Sequence, residues 1–302
     1  MTHSFRCLVL AVLFSLGCSE SAQLQSQPPQ QVVAPGGNFI AFLSKLRLPE
    51  NLSFCGERVP LEIPEVRERA EREFYLNLQS PGQLILYAKR AGRYFPLFEK
   101  ILKEEGVHED LKYLSLAESA LFMARSAKDA VGLWQFIPAT GKRMGLQIDE
   151  YVDERRHPEK STKAAAGYLR SGYKSSRSWT LAAAGYNLGH ENLRENLEFQ
   201  SKENFYDLYL NEETSRYILR IVIIREILGN AAKYGLNLDA ADVYSPEKTQ
   251  TIAWNDDIPG LAEWAAAHGT TYTDVKILNP WILKRSLPKP RDGAYQILVP
   301  AR

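Results

Sequence analysis

Leu111-Lys-Tyr-Leu-Ser-Leu-Ala-Glu118-Ser-Ala-Leu-Phe122 is the stretch on which the reading of this chain turns. Leu111, Leu114 and Glu118 recur at helical spacing, so a carboxylate shares a face with two leucines. Leu116, Ala117, Ala120 and Leu121 surround it in sequence and predict partial desolvation. Desolvation disfavours the charged form and raises the pKa, which suits a general acid near neutral pH. The competing reading is a Glu that reaches solvent or pairs with Arg or Lys. Downstream, Gly132-Leu-Trp-Gln-Phe-Ile-Pro-Ala-Thr-Gly141 sets Trp134, Gln135 and Phe136 just before a helix start. A ring beside an amide suits a sugar, the ring stacking on a pyranose face and the amide bonding hydroxyl or N-acetyl groups. The alternative places both rings in the core and Gln135 in solvent. Ala182-Ala-Ala-Gly-Tyr-Asn-Leu-Gly189 is a small-residue helix whose Tyr186-Asn187 end can present a phenol and an amide to a cleft. Otherwise Tyr186 is core and Asn187 a capping residue.

Outward from these segments the pattern over 81–230 is almost wholly helical. The punctuation predicts helices over Leu84–Tyr94, from Pro96 to before Gly106, over Asp110–Ala120, from Pro138 to before Gly145, and over Pro158–Tyr173. Ser178 is placed to cap a helix over Trp179–Leu188 that Gly189 ends, and Thr214–Tyr234 reads as one long helix closed by Gly235. Before this region, Pro64 opens an amphipathic helix within 60–80. After it, strands over Thr249–Trp254 and Tyr295–Val299 flank two short helices, Leu261–His268 and Thr273–Leu278, a small α+β module. The expected organisation is a signal over 1–18, a Gln, Ser and Pro-rich tether over 19–37, a helical extension over 38–95, a helical body over 96–235 and the module over 247–302.

Composition narrows the chemistry. The 302 residues hold 37 Lys and Arg against 36 Asp and Glu, a net charge of +1, so no nucleic-acid partner is expected. Three cysteines, Cys7, Cys18 and Cys55, give neither a disulfide framework nor zinc spacing. A P-loop fails at Phe136 and Arg143, a zincin helix fails at Arg194, and no Gly-x-Ser-x-Gly elbow is present. His108, His157, His190 and His268 are scattered and read as surface or capping residues. Acid–base chemistry remains the main option. At the start, residues 7–16 are uncharged, too short to span a bilayer (about 20 residues) and of the length of a secretory signal core. Gly17-Cys18 closes that run and resembles a bacterial lipoprotein signal, with Ser15 where the usual pattern has Leu. That resemblance implies export, lipidation of Cys18 and, with Ser19 next, an outer-membrane anchor on the periplasmic side.

Taken together, the ordered motifs resemble the lytic transglycosylases of the goose-lysozyme-like superfamily (glycoside hydrolase family 23), nearest to the membrane-bound D group. Glu118-Ser119 matches the catalytic Glu-Ser motif, and Ser126 to Gly132 the Ser-x-x-Gly-Ala-x-Gly stretch. Gln135 falls in Gly-Leu-Trp-Gln-Phe, Ala184-Gly-Tyr186-Asn187 on Ala-Ala-Tyr-Asn, and Glu213-Thr214 with Tyr217 on Glu-Thr-x-x-Tyr. Asp129 stands where the pattern has Gly, and Gly185 where it often has Ala. The resemblance implies a mainly α, lysozyme-like fold and cleavage of the bond between N-acetylmuramic acid and N-acetylglucosamine in peptidoglycan, leaving 1,6-anhydro ends. It implies Glu118 as the catalytic residue, with Ser126, Gln135, Tyr186 and Asn187 holding the sugars and Glu213 and Tyr217 supporting the cleft floor. No metal or cofactor is implied, and the chain is expected to act as a monomer on glycan strands. The C-terminal module resembles a divergent LysM domain, with Asp256-Asp257-Ile-Pro259 in place of the usual Gly-Asp-Thr.

Overall fold

The computed structural model describes residues 36–301. The expected signal over 1–18, its Cys18 and residues 19–35 of the tether lie outside the described residues. Helix α1 (Gly36–Leu43) opens the described chain and already includes the last two residues read as tether. Strands β1 (Ser53–Phe54) and β2 (Glu57–Arg58) then form a tight antiparallel hairpin. Its turn residues Cys55 and Gly56 both sit at positive φ, 52° and 79°, the twist that two-residue hairpins need.

Helix α2 (Pro64–Leu78) starts at Pro64 as the sequence predicts and buries Val66, Ala70, Phe74 and Leu78. Helix α3 (Pro81–Glu104) departs from the prediction, because Pro96 lies inside it instead of opening a new helix. An internal proline forfeits a backbone hydrogen bond and costs about 3 kcal/mol. Both halves of α3 are anchored in the core, Leu84 before the proline and Phe98, Ile101 and Leu102 after it. Burial of each such side chain is worth roughly 1.5–3 kcal/mol, so packing outweighs the break.

A 3-10 turn over Glu109–Leu111 leads into α4 (Lys112–Ser119), which carries Glu118. Helices α5 (Pro138–Arg143) and α6 (Pro158–Ser176) begin at their prolines, and α6 continues past the predicted end at Tyr173. The start of α7 (Trp179–Leu188) is capped twice. Ser178 Oγ accepts from the Leu181 N–H at 3.1 Å, and the Glu57 carboxylate accepts from the N–H groups of Trp179 and Thr180 at 2.5 and 3.1 Å. A carboxylate there satisfies otherwise orphaned donors and complements the helix dipole. The β1–β2 hairpin thereby fixes the helix that carries Tyr186 and Asn187.

After Gly189 comes α8 (His190–Gln200), then α9 (Glu212–Gly229). Ile218, Leu219, Ile221, Val222, Ile223 and Ile224 are all buried, so α9 is apolar nearly all round, and it packs on α2, α4 and α7 as the central helix. The single helix predicted to reach Tyr234 is instead two elements: α9 stops at Gly229-Asn230, weak helix formers, and a 3-10 turn over Ala231–Tyr234 ends at Gly235. Among the described residues no helix is long and apolar enough to cross a membrane.

Strand β3 (Thr249–Trp254), helices α10 (Leu261–Ala267) and α11 (Tyr272–Leu278), and strand β4 (Tyr295–Pro300) complete the chain, with β3 antiparallel to β4 and Ile252 opposite Ile297. This module has its own core, which includes Leu261, Trp264, Val275 and Ile297. Val152, from the helical body, is fully buried in that same core. The backbone joins there too: the Asp153 N–H donates to the Trp281 carbonyl at 2.9 Å, and the Leu283 N–H to the Tyr151 carbonyl at 2.8 Å. The architecture is thus the mainly helical body with a small α+β module that the sequence predicts.

Candidate active site

Glu118 lies at the last turn of α4, and the chain leaves that turn abruptly. Ala120 and Leu121 both adopt left-handed conformations (φ 54° each), a costly arrangement for residues with a Cβ. Arg90 holds it by donating to the Ala120 carbonyl at 3.0 Å. Ser119 Oγ sits 2.8 Å from the Leu133 carbonyl and 3.0 Å from that of Ser115, tying α4 to the loop that carries Gln135. Glu118 therefore faces a cleft of about 750 Å³.

The carboxyl is half-buried, and desolvation pushes its pKa up to about 7. The Tyr217 hydroxyl donates to Glu118 Oε1 at 2.5 Å and opposes that rise by stabilising the carboxylate. Glu213 adds a like charge that raises the pKa further, and Arg220 an opposite charge that lowers it. Glu213, Tyr217 and Arg220 fall at i, i+4 and i+7 of α9, so one helix face supplies all three.

The remaining predicted residues line the same cleft. Ser126 belongs to a turn in which its Oγ accepts from the Ala130 N–H at 3.1 Å. Asp129, in the place of a family glycine, holds the left-handed φ of 59° that the turn requires, and Arg125 donates to its carboxylate at 2.8 Å. Gln135 is also left-handed, φ 50°, and its Nε2 donates to the Gly132 carbonyl at 2.8 Å, which leaves its Oε1 as the acceptor for a ligand. Tyr186 donates to the Trp134 carbonyl at 2.7 Å, and burial pushes its pKa well up, so it is a neutral phenol. Asn187 Oδ1 accepts from the Thr214 hydroxyl at 3.1 Å, linking the end of α7 to the start of α9.

The two readings of the Trp134 segment divide between neighbours. Trp134 is fully buried, donates to Thr162 Oγ1 at 2.8 Å and packs on Phe98, so it is core and not a sugar platform. Phe136 is buried against Tyr186. Gln135 lines the cleft, its left-handed backbone turning it away from Trp134, and the buried Phe136 contributes to the same lining beside Tyr186. His108 and His157 cap their elements as expected. His190 is half-buried: its ring packs on Tyr168, 4.4 Å between centroids, and against Gly172 and Gly185. Sequence reading missed Arg220, Tyr168 and Asn192, and gave Thr214 only as part of a motif, without its bond to Asn187; the helical spacing from Glu213 to Tyr217 is the signal that extends to Arg220.

A second cavity, about 690 Å³, lies between the helical body and the C-terminal module. Its titratable groups differ in chemistry from Glu118. Lys163 holds Glu159 below the usual range, and burial pushes His157 down to about 4, so neither is a protonated acid at neutral pH. Cys55, His108 and Asp110 form a close group of possible metal ligands, but their atoms serve the fold. Asp110 accepts from the Cys55 N–H at 2.9 Å and from Arg225 at 2.6 Å, and His108 Nδ1 accepts from the Asp110 N–H.

Parts of the chain are similar to known proteins. A family model described as a transglycosylase SLT domain matches residues 96–208, and one described as a soluble lytic transglycosylase C-terminal LysM-like domain matches residues 250–302. Membrane-bound lytic murein transglycosylase D of Escherichia coli, from strain K12 and from strain O6:H1, is 28% identical over 254 residues, covering 78% of this chain. That alignment covers 56% of the relative, so the chain spans little more than half the length of the curated relatives it matches. Among solved structures, an inactive mutant of the lytic transglycosylase Slt from Pseudomonas aeruginosa is 20% identical with a TM-score of 0.35, over 50% of this chain and 26% of that one. Residues 96–208, which hold Glu118, Gln135 and Asn187, are a transglycosylase SLT domain, and residues 250–302 are a LysM-like domain of the lytic transglycosylase C-terminal type.

Proposed function

We propose that the chain is a peptidoglycan lytic transglycosylase that cuts the β-1,4 bond between N-acetylmuramic acid and N-acetylglucosamine. The observation that carries this reading is the Glu118 carboxyl, half-buried at the floor of the cleft with its pKa raised to about 7. At that value both protonation states are populated near neutral pH, so one group can serve as acid and then as base. Glu118 gives its proton to the bridging oxygen as the bond from that oxygen to the muramyl C1 breaks. The muramyl N-acetyl oxygen supports the positive charge that develops at C1. The Glu118 carboxylate then takes the proton of the muramyl 6-hydroxyl while O6 bonds to C1. No water is consumed, Glu118 ends protonated, and the product carries a 1,6-anhydro ring.

Gln135 Oε1, Ser126, Tyr186 and Asn187 hold the sugar rings and N-acetyl groups, and Tyr217 with Glu213 supports the floor. In this reading residues 96–235 work as the catalytic body on the helical support of 38–95, with 247–302 as the LysM-like module. The protein is exported and held at the periplasmic face of the outer membrane by lipid on Cys18. A mature N-terminus at residue 19 or later with a free amine removes that anchor.

A second reading draws on Glu213. Inverting glycosidases pair an acid with a carboxylate that activates water, and Glu213 is a second carboxylate in the same cleft. Mass analysis of soluble products from purified sacculi decides between them. Anhydro products, lighter by one water, are expected from the wild type, and none from Glu118→Gln. Full turnover by Glu118→Gln ends the mechanism; products carrying the added water transfer the chain to the hydrolases.

A further inference from the structure

Asn192 of α8 and Glu213 at the start of α9 both line the cleft. Helix α8 then leads away through Asn196 to Gln200, at i+4 and i+8 from Asn192 and so along one face. Side-chain amides bond along that face: Asn196 Nδ2 donates to the Asn192 backbone carbonyl at 2.8 Å, and Gln200 Nε2 to Asn196 Oδ1 at 3.3 Å. The chain before α9 meets this ladder at its far end. Gln200 Oε1 accepts from the Tyr209 N–H at 2.8 Å, and Gln200 Nε2 donates to the Tyr209 carbonyl at 2.9 Å.

At that junction stand two aromatics, Phe199 and Tyr209, each 90% exposed. No other large apolar side chain among the described residues is as exposed, and the double hydrogen bond from Gln200 holds the Tyr209 backbone in place. Leaving two such rings in water forgoes the burial that would otherwise stabilise the fold. The eight steps from Asn192 to Gln200 rise about 12 Å along the helix, further than one pyranose ring reaches.

We propose that Phe199 and Tyr209, with Asn192 and Asn196, form an accessory glycan-binding track that receives the strand as it leaves the cleft. The rings stack on pyranose faces and the amides meet hydroxyl and N-acetyl groups, the chemistry of a saccharide surface. Continuity with the cleft favours a glycan as occupant. An acidic membrane surface fits poorly, since Glu203 and Asp207 stand close in sequence to the rings against one cation, Lys202, while Glu198 is paired with Arg194 and Glu212 with Arg72 and Arg216. This inference rests on the cleft being the glycan-cleaving site.

The test is a Phe199→Ser, Tyr209→Ser double variant, assayed on intact sacculi and on a short muropeptide oligosaccharide that fills only the cleft. Both side chains are exposed, so stability should hold. KM on sacculi should rise about tenfold, while kcat/KM on the short substrate stays within about twofold. An unchanged KM on sacculi overturns the track. Loss of wild-type binding to phosphatidylglycerol vesicles in the double variant, with sacculi kinetics intact, overturns it in favour of a membrane. The underlying reading fails separately, through turnover by Glu118→Gln.

Discussion

One hydroxyl tests how Glu118 is tuned. Tyr217 donates to the carboxylate and so lowers a pKa that burial raises. Tyr217→Phe removes the donor but keeps the ring, and the Glu118 pKa should climb above about 7. A proposed acid that works protonated then keeps its proton to higher pH. The alkaline limb of kcat/KM is therefore expected to move upward in pH, with a lower maximum because the base step loses its positioned partner. A pH–rate profile whose alkaline limb stays put would mean that the contact does not operate in solution. At this scale the sequence is most legible where a residue contradicts its neighbours. Glu118 stands out as an acid among leucines and alanines, a local signal. The split between Trp134 and Gln135 is not local, because it depends on a left-handed backbone at Gln135 and on Thr162, which lies on α6.

At the scale of elements, helix starts are legible and helix continuity is not. Pro64, Pro138 and Pro158 each open a helix and Ser178 caps one, since these effects act within a single turn. Pro96 misleads because the packing that carries α3 through it comes from residues distant in sequence, such as Tyr113 and Trp134. Gly185 makes the same point in reverse. A Cβ at that position would sit 2.1 Å from His190 Nδ1, so the small residue of α7 is matched to a ring on α8. Gly185→Ala should cost about 1–3 kcal/mol in denaturant unfolding, the usual scale of overpacking. Most of that loss should return when His190→Ala is added, a coupling that a double-mutant cycle reads directly. Additive losses in the two variants would refute the steric match.

For the whole molecule, what decides behaviour is how distant segments join. Arg220 and Arg216 of α9 both reach the buried Glu73 of α2, and this pairing orients a cleft cation from outside the SLT-matched segment. No spacing rule in the sequence exposes that link, nor the placing of Val152 in the C-terminal core. The connecting segment also lies on α3, where the Tyr244 N–H donates to the Lys89 carbonyl at 3.1 Å. Protease cleavage within 237–246 should thus leave two fragments that still elute as one species on size exclusion. Val152→Asp buries an unpaired charge in the shared core and should release them. Separate elution of the nicked wild-type fragments would show that the docking does not persist in solution.

The same valine limits how such a protein can be rebuilt. Exchanging the C-terminal segment for an unrelated binding domain would bare Val152 and leave the Asp153 N–H and the Tyr151 carbonyl without their partners. The segment is therefore not a cassette. A working chimera has to bring its own complement to residues 151–153, so recombination points that look natural in the primary sequence, between the body expected to end at 235 and the module expected to start at 247, cut beside a joint and not through a seam.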